Sequence, residues 1–480
     1  MIDFRAMREA ALSGIDARLA KEPEALELRF ERARLLDALG RSAEALAGYE
    51  DVLSRDPAHF EALNNLATLQ FKTGQARSAR ISYQTLVSRH AQNPVAHANL
   101  GFVLLKNGEL PAAREQYSRA LELDPDHVEA HKGLGLILEM LGDTEGSQAH
   151  AERGFRDSPI TSVPYRGIGR APEVLAIVSY SPGNVHLQHY VTPDHFGMHK
   201  LVAEYFDLAQ PLPPHDIVFN AVGDADICGP ALDVVRTLVA RTTKPVINQP
   251  DAVAATTRVE NADRLGILPD VRTPQTVELD RATLAGPDGP AALANHGFDF
   301  PLLLRAPGFH TGEHFERIEN QADVAAAANR MPGDRILAIE FIDVRGEDAL
   351  IRKYRAIFVG DAIEPLHLAI SRDWKIHYFS ADMTESEANR AEDEAFIADL
   401  PGALGARAAT ALEAIRKTLA LDYGGIDFAL DRDGNIVVFE ANATMVVPVP
   451  KSDPRWNYRR SAVDRIHTAV RELITRRAAV

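Results

Sequence analysis

The first third of the chain repeats a pattern of small and apolar residues with a period of 34 residues. Four glycines and three tyrosines keep this step: Gly40, Gly74, Gly108, Gly142, Tyr49, Tyr83 and Tyr117. A fixed period of this length is typical of helical units that stack on their neighbours, because one unit alone cannot bury its apolar face. The pattern predicts an all-α solenoid of about four repeats over residues 1–158.

The clearest unit, residues 99–125, resembles the tetratricopeptide repeat (TPR), in which two helices form each 34-residue unit. The first repeat departs from this pattern, since Arg32-Ala33 stands where the others carry Leu-Gly or a related pair. The resemblance implies a concave groove that holds a peptide or protein segment. Asn65 and Asn99 recur at one helical position, where they either contact a ligand backbone or serve as surface or helix-packing residues.

The hydrophobic pattern changes after a Pro- and Gly-rich segment, residues 159–172, which is expected to be a linker. Short apolar runs at 173–179, 216–222 and 245–248 predict buried strands, and residues 198–209 and 231–240 predict helices. Together they indicate a small α/β domain with a parallel sheet over residues 173–260. Four histidines lie in its first loop, where they face solvent, contact a substrate or hold a structural metal: His186, His189, His195 and His199.

Near the C-terminal end, two apolar runs, 426–430 and 435–442, flank an Asp-Gly turn and predict a β-hairpin. Regular pairing around the turn places Asp427 opposite Val438, with Glu440 and Asn442 on the same face. Two carboxylates and an amide oxygen suit Mg²⁺, which favours oxygen ligands. The alternative is that these acids lie at strand ends and face solvent.

Composition narrows the class of protein. The chain has 480 residues, of which 68 are acidic and 52 basic, giving a net charge of −16. That balance argues against nucleic-acid binding, which needs a basic surface. No apolar run reaches the ~20 residues of a membrane span, so a cytoplasmic protein without membrane contact is expected. The single Cys228 excludes an internal disulfide and is either a nucleophile or, as the pattern favours, a small buried hydrophobe.

An ordered set of segments precedes the hairpin. It comprises 246–250, 256–258, 265–274, 300–312, 336–343 and 354–360. This order, ending in Asp427 and Glu440-Ala-Asn442, resembles the ATP-grasp superfamily, and most closely its glutathione synthetase and ribosomal-protein glutamate ligase branch. The resemblance implies a central subdomain at 261–343 and a C-terminal subdomain at 344–480. The expected fold is therefore multi-domain, a TPR solenoid followed by an α/β + α+β ATP-grasp module.

The resemblance also implies roles for individual residues. Those expected at the ATP phosphates are Arg258, Arg305, Gly308, His310 and Gly312. Those expected at adenine and ribose are Glu340, Phe341 and Ile342. Arg355 and Arg305 are the candidate catalytic residues beside the transferred phosphate, and Asp427, Glu440 and Asn442 are the candidate Mg²⁺ ligands, with Mn²⁺ as an alternative ion. Two positions depart from the family, since Arg305 replaces a lysine and Lys353 replaces an acid.

Residues 366–378 concentrate basic and aromatic side chains in an otherwise acidic protein. His367, Lys375 and His377 are the candidate substrate contacts in this segment. A surface strand with polar outer positions is the equally weighted alternative.

The family resemblance implies an ATP- and Mg²⁺-dependent carboxylate–amine ligase that works through an acyl phosphate. Its expected partners are a small-molecule amine or carboxylate and a peptide or protein recruited by the TPR groove. Two alternatives stay open: a small-molecule ligase or kinase whose repeats serve only assembly, and a nucleotide-binding scaffold that has lost catalysis.

Overall fold

The computed structural model divides into two compact units, Met1–Pro159 and Ile160–Val480. It describes residues 4–167, 169–309, 312–376, 381–450 and 453–479, with only the backbone described for residues 4–6.

Helices account for almost all of the first unit within its described residues. They are α1 Phe4–Leu19, α2 Leu26–Ala38, α3 Ser42–Arg55, α4 Phe60–Lys72, α5 Ala76–Arg89, α6 Pro94–Lys106, α7 Leu110–Leu123, α8 Val128–Met140 and α9 Thr144–Phe155. Each helix packs on the next, and the pairs α2–α3, α4–α5, α6–α7 and α8–α9 follow the 34-residue period. The predicted helical solenoid is confirmed, with α1 preceding the first pair.

The recurring glycines and tyrosines explain how the helices approach each other. Gly108, between α6 and α7, has a φ of +80°, a conformation that costs glycine little and other residues more. The Tyr117 ring lies against Gly101 and Gly133, and a Cβ on Gly133 would come within 2.1 Å of the Tyr117 Cζ. Small residues are therefore required where these helices cross.

The two recurring asparagines contact neighbouring helices. Asn99 donates its amide to Asn64 Oδ1 at 2.6 Å, which joins α6 to α4. The side chain of Asn65 interacts with that of Tyr49 on α3. These contacts support the helix-packing alternative for both positions.

The second unit begins with a five-stranded sheet in the order β1-β3-β2-β4-β5. Its strands are β1 Ile160–Val163, β2 Glu173–Val178, β3 Gly197–Val202, β4 Ile217–Asn220 and β5 Val246–Ile247. Strands β2 to β5 are parallel to their neighbours, and β1 pairs with β3 in the antiparallel sense. The helix α10 Gly229–Val239 follows β4, as the sequence predicts.

Two expectations for this region are wrong. Residues 198–209 form strand β3 and the short 3₁₀ helix Ala203–Tyr205 instead of an α-helix. The apolar residues there fit a helical spacing, but pairing with strands on both sides decides the conformation. Residues 160–163, which the sequence predicts as part of the linker, form the neighbouring strand β1. No apolar run in the sequence indicates this strand.

A four-stranded antiparallel sheet follows, in the order β7-β10-β8-β9. Its strands are β7 Thr276–Asp280, β8 Leu302–Arg305, β9 Phe315–Ile318 and β10 Arg335–Glu340. The helices before and within this region are α11 Pro250–Ala254, α12 Arg258–Gly266, α13 Arg281–Ala285, α14 Gly289–Asn295 and α15 Val324–Arg330. An apolar core between α13–α15 and one face of the sheet holds the subdomain together.

The last sheet has five strands in the order β12-β11-β13-β14-β6. They are β6 Val271–Arg272, β11 Ile351–Val359, β12 Ala362–Ser371, β13 Tyr423–Leu430 and β14 Ile436–Asn442. The surrounding helices are α16 Glu387–Ala398, α17 Leu400–Leu404, α18 Ala406–Leu419 and α19 Arg460–Ala478. Three further 3₁₀ helices are Leu187–His189, Gln321–Asp323 and Pro454–Arg459.

Cys228 lies just before α10 and is buried, with 2% of its surface exposed. Its thiol donates to the Pro182 carbonyl at 3.1 Å, and burial raises the pKa of the thiol to about 12. A thiol in this environment stays protonated, which agrees with a packing role.

No helix in the described part of the chain combines the length and apolar character needed to cross a lipid bilayer.

The contact between Tyr117 and Gly133 gives a test of the solenoid. We expect Gly133→Ala to destabilise the first unit by about 1–3 kcal/mol, because the added methyl group forces the tyrosine or a helix to move. Far-UV circular dichroism in urea measures this change.

Gly14→Ala is the matched control. Gly14 lies in α1 with no atom within 4 Å of its added Cβ, so alanine should stabilise that helix by roughly 0.5–1 kcal/mol. Equal effects of the two substitutions would contradict the packing described here.

Candidate functional site

The β13–β14 hairpin forms as predicted, but its register differs. Phe428 pairs with Val438, and Asp427 pairs with Glu440, so Phe439 has no partner and forms a β-bulge. Val438 therefore lies with Phe428 in the apolar core, and not on the face of Asp427 as regular pairing requires. The bulge brings Glu440 directly opposite Asp427, where the sequence predicts a diagonal pair.

Four neighbouring strands place one polar residue each at the same level of the sheet. His367 on β12 pairs with Arg355 on β11, Arg355 with Asp427 on β13, and Asp427 with Glu440 on β14. Residues directly opposite each other share a face. These four residues, here named the charged row, all line one cavity.

That cavity has a volume of about 460 Å³ and is lined by strands of both the four-stranded sheet and the last sheet. It brings together most of the residues that the sequence singles out. They are Arg258, Arg305, Gly312, Glu340, Phe341, Ile342, Arg355, His367, Lys375, Asp427, Glu440 and Asn442.

The remaining candidates are not among the described residues of the cavity lining. Gly308 has a φ of +79°, and a Cβ there would lie 2.9 Å from Ile227 Cγ2, but it is not among the described residues that line the cavity. His310 and His377 fall outside the described residues. Of the four histidines predicted in the first loop, His199 lies instead in strand β3, where it hydrogen-bonds Ser162. His195 lies in the loop and hydrogen-bonds Thr192.

Asp427 is the most buried acid of the charged row, with 1% of its surface exposed. Arg355 donates Nε to Oδ1 at 2.5 Å and Nη2 to Oδ2 at 2.8 Å. Lys353 Nζ lies 2.8 Å from Oδ2. Burial alone would raise the pKa of Asp427, but the charges of Arg355 and Lys353 outweigh it and hold the pKa well below its usual range.

Glu440 has a different cation. Arg258, the first residue of α12, donates Nη2 to Glu440 Oε1 at 2.7 Å, and its Nε lies 3.5 Å from Asp226 Oδ2. Burial raises the pKa of Glu440, but Arg258 and Arg305 together lower it to about 2. Asp226, in the loop after β4, was not singled out from the sequence, because nothing in its surroundings predicts a contact with Arg258.

Arg305 is a half-buried cation with no carboxylate partner among the described residues. Its Nη2 donates to the Phe309 carbonyl at 2.5 Å, and its guanidinium lies 5.3 Å from the centre of the Phe315 ring. Among the described residues no carboxylate forms an ion pair with it. Burial and the charge of Arg258 lower the pKa of Arg305 to about 10, so it stays charged at neutral pH and would gain from a bound anion.

The cavity therefore has a cationic region. Among the described residues, five basic side chains line it against three carboxylates, and the basic ones are Arg258, Arg305, Lys353, Arg355 and Lys375. His367 adds no charge at neutral pH, because burial and the charge of Arg355 hold the pKa of its imidazole well below the usual range. A polyanion such as a triphosphate suits a concave surface with this excess.

Another part of the cavity is apolar. Its wall includes side chains that pack together in one cluster, namely Ile342, Val344, Ile351, Ala369, Ile376 and Val437. Trp374 lies edge-on to Phe315 and Phe341, with ring centres 5.4 and 6.3 Å apart, and links the two sheets. The sequence marks Trp374 only as one of two tryptophans.

Glu340, a candidate ribose ligand, is held at the end of β10. It accepts from Arg272 Nη2 at 2.9 Å and from the Gln275 backbone amide at 3.1 Å. Mixed apolar and polar lining of this kind suits a heterocyclic base and its sugar.

The candidate metal ligands fit a divalent ion in part. The two hydrogen bonds of Glu440 both go to Oε1 within the described structure, which leaves Oε2 for a cation. Asn442 donates to Glu440 and accepts from Thr444 through Oδ1, so its amide must turn over before that oxygen can ligate. No group of three or more histidine, cysteine, aspartate or glutamate side chains placed to hold a metal occurs among the residues described.

Comparison with known proteins identifies the first unit. A family model described as "Tetratricopeptide repeat" matches residues 39–101, and one described as "TPR repeat" matches residues 103–142. The first unit is a TPR array. No curated protein matches the chain.

Three solved structures each match about a third of the chain. MamA from Desulfovibrio magneticus RS-1 is 23% identical, covering 30% of this chain and 81% of that one, with a TM-score of 0.28. YrrB, titled a TPR protein with an unusual peptide-binding site, is 21% identical, covering 32% of this chain and 79% of that one, with a TM-score of 0.28. A TPR protein from Parabacteroides merdae ATCC 43184 is 23% identical, covering 30% and 57%, with a TM-score of 0.28.

From the contacts of the charged row, we expect one substitution by a neutral residue to have a large effect on stability. Asp427→Asn keeps the shape but leaves Arg355 and Lys353 without their carboxylate, which should destabilise the second unit by about 3–5 kcal/mol. Both tryptophans, Trp374 and Trp456, lie in this unit, so tryptophan fluorescence during urea unfolding follows it selectively.

Asp361→Asn is the control, since that side chain is fully exposed in its ion pair with Arg416 and should not change the unfolding midpoint. Because folding lowers the pKa of Asp427, its ionised carboxylate stabilises the folded state at any pH above the ordinary aspartate pKa of about 4. This stabilisation is lost progressively as the pH falls below about 4. Wild type should therefore lose more stability than Asp427→Asn between pH 5 and pH 3. A similar loss in both would contradict the proposed charge pairing.

Proposed function

We propose that the second unit is an ATP-grasp enzyme that joins a carboxylate to an amine at the cost of ATP. The observation that carries this proposal is the cavity, because one space collects residues that lie between positions 258 and 442 of the chain. Random placement of such residues would scatter them over the surface. Their convergence supports the roles that the sequence assigns to them.

The lining offers contacts that suit each part of ATP. The apolar wall and Phe341 offer contact to adenine, and Glu340 offers a carboxylate to the ribose hydroxyls. Arg305 and Arg258 face the region where the phosphates would lie, and Arg305 has no competing carboxylate among the described residues. Glu440 Oε2, with the Asn442 amide turned over, would hold Mg²⁺, which would neutralise phosphate charge and orient it.

The reaction has two displacements. A carboxylate oxygen of the substrate attacks the γ-phosphorus, the bond to the β,γ-bridging oxygen breaks, and ADP leaves an acyl phosphate behind. The amine nitrogen then attacks the acyl carbon, inorganic phosphate departs with the bonding electrons, and the nitrogen loses a proton to form the amide. Phosphoryl transfer depends on positioning and charge stabilisation, which suits a site of fixed cations such as Arg355 and Arg305.

The TPR array would supply the substrate. TPR arrays bind peptide or protein segments, and the exposed Phe102 and Ile81 provide apolar contacts on this one. A segment held there is present at high effective concentration for the enzyme unit of the same chain. The carboxylate or the amine of the reaction would then belong to a recruited peptide or protein, and the other reactant would be a small molecule.

A nucleotide-binding scaffold without catalysis is the second candidate. The observation that favours it is the ion pairing of Asp427, whose oxygens already accept from Arg355 and Lys353. Such a protein would bind ATP without consuming it.

Magnesium dependence of ATP binding tests the nucleotide site. By calorimetry, Mg²⁺ should strengthen ATP binding to wild type at least about tenfold, which is about 1.4 kcal/mol. Glu440→Gln should lose this enhancement, because a neutral amide is a weak magnesium ligand, while metal-free binding persists.

Glu347→Gln, which changes an exposed acid outside the cavity, should behave as wild type. Failure of wild type to bind ATP under any condition would end the proposal.

Product masses separate the candidate activities. We expect ADP release that depends on both a carboxylate and an amine, with a product lighter by one water than their sum. A kinase would instead add the mass of a phosphoryl group to one substrate. A scaffold would release no ADP with any amino acid or peptide mixture, and Arg355→Met should abolish ADP release by the ligase.

A further inference from the structure

Strand β11 carries two cations toward a single carboxylate. Lys353 and Arg355 are two residues apart and therefore lie on the same face of the strand. Arg355 is directly opposite Asp427, and Lys353 Nζ reaches Asp427 Oδ2 at 2.8 Å. The Lys353 ammonium also lies 3.4 Å from the Ile376 carbonyl, which fixes the direction of its side chain.

Asp427 has little capacity left for a metal. A carboxylate accepts at about four lone-pair positions, and three donors from Arg355 and Lys353 already contact this one. The remaining position is next to both cations. A divalent ion bound there would face two like charges in a buried site, where repulsion is weakly screened.

Glu440 is in a different electrostatic state. A single arginine, Arg258, pairs with it through Oε1, and that same arginine is shared with Asp226. Its other oxygen makes no hydrogen bond within the described residues. Of the two acids at the predicted metal site, only Glu440 has an oxygen and a charge balance that suit a divalent cation.

We propose that the Lys353 ammonium serves as a built-in cation on Asp427, so that the nucleotide site takes one divalent metal ion, held by Glu440, and not two. This inference rests on the proposed nucleotide binding. In this inference Asp427 orients Lys353 and Arg355 toward the phosphates. The lysine at position 353, where the ATP-grasp family often has an acid, then has a function. A single Mg²⁺ with one protein carboxylate, water and phosphate oxygens satisfies the coordination that this ion prefers.

Counting bound Mn²⁺ tests the proposal without any turnover. The full-length chain is saturated with the non-hydrolysable analogue β,γ-imido-ATP, and Mn²⁺ is titrated and followed by electron paramagnetic resonance. Wild type should bind one Mn²⁺ per chain. Lys353→Glu supplies a carboxylate and removes the competing cation, so it should bind two, and Lys353→Met should gain a weaker second ion.

Lys417→Met is the matched control, because this exposed lysine also pairs with a carboxylate, that of Glu413 at 3.4 Å, but is not among the described residues that line the cavity. It should keep one Mn²⁺ per chain. Binding of two Mn²⁺ ions by wild type would overturn the inference but would leave the proposed function intact. The wild-type count therefore tests the inference even if a Lys353 variant fails to fold. Absence of analogue binding by wild type would remove the proposed function and the inference with it.

Discussion

A carboxylate on the inner face of a β-sheet needs a cation from a neighbouring strand or helix, and two such ion pairs join distant segments of the second unit. Asp427 obtains its cations from β11, and Glu440 obtains Arg258 from the start of α12. These pairs join segments 72 and 182 residues apart in sequence. Because an unpaired charge in such a setting is costly, these ion pairs favour the observed packing of the strands and α12.

The bulge at Phe439 is what makes this pairing geometrically available. It allows the same strand to send Val438 into the core and, two residues later, Glu440 into the cavity opposite Asp427. Without the extra residue, alternation would keep Val438 on the face of the acids and shift Glu440 to a diagonal position. The bulge therefore divides the hairpin into two parts. The part near the turn packs in the apolar core, and the part beyond the bulge carries the charged side chains.

Much of this organisation follows from the sequence. The 34-residue period predicts the helical array because it depends on local spacing, and the Asp-Gly turn predicts the hairpin for the same reason. The bulge could not be predicted, since no residue type marks it. The sequence does not predict strand β3, because its apolar residues fit two periods and its partner β1 has only two apolar residues, Ile160 and Val163. The contacts of Asp226 and Trp374 depend on tertiary packing between distant segments, which periodicity does not record.

Cys228, the one thiol of the chain, is sealed beside α10 and hydrogen-bonded to a backbone carbonyl. Maleimides and other thiol-directed reagents need an accessible thiolate, so the native protein offers them almost no target. A cysteine introduced anywhere on the surface becomes the sole labelling position without any other change to the chain. Pairs of such positions, one in the TPR array and one in the second unit, would carry spin labels or dyes that report the separation of the two units directly.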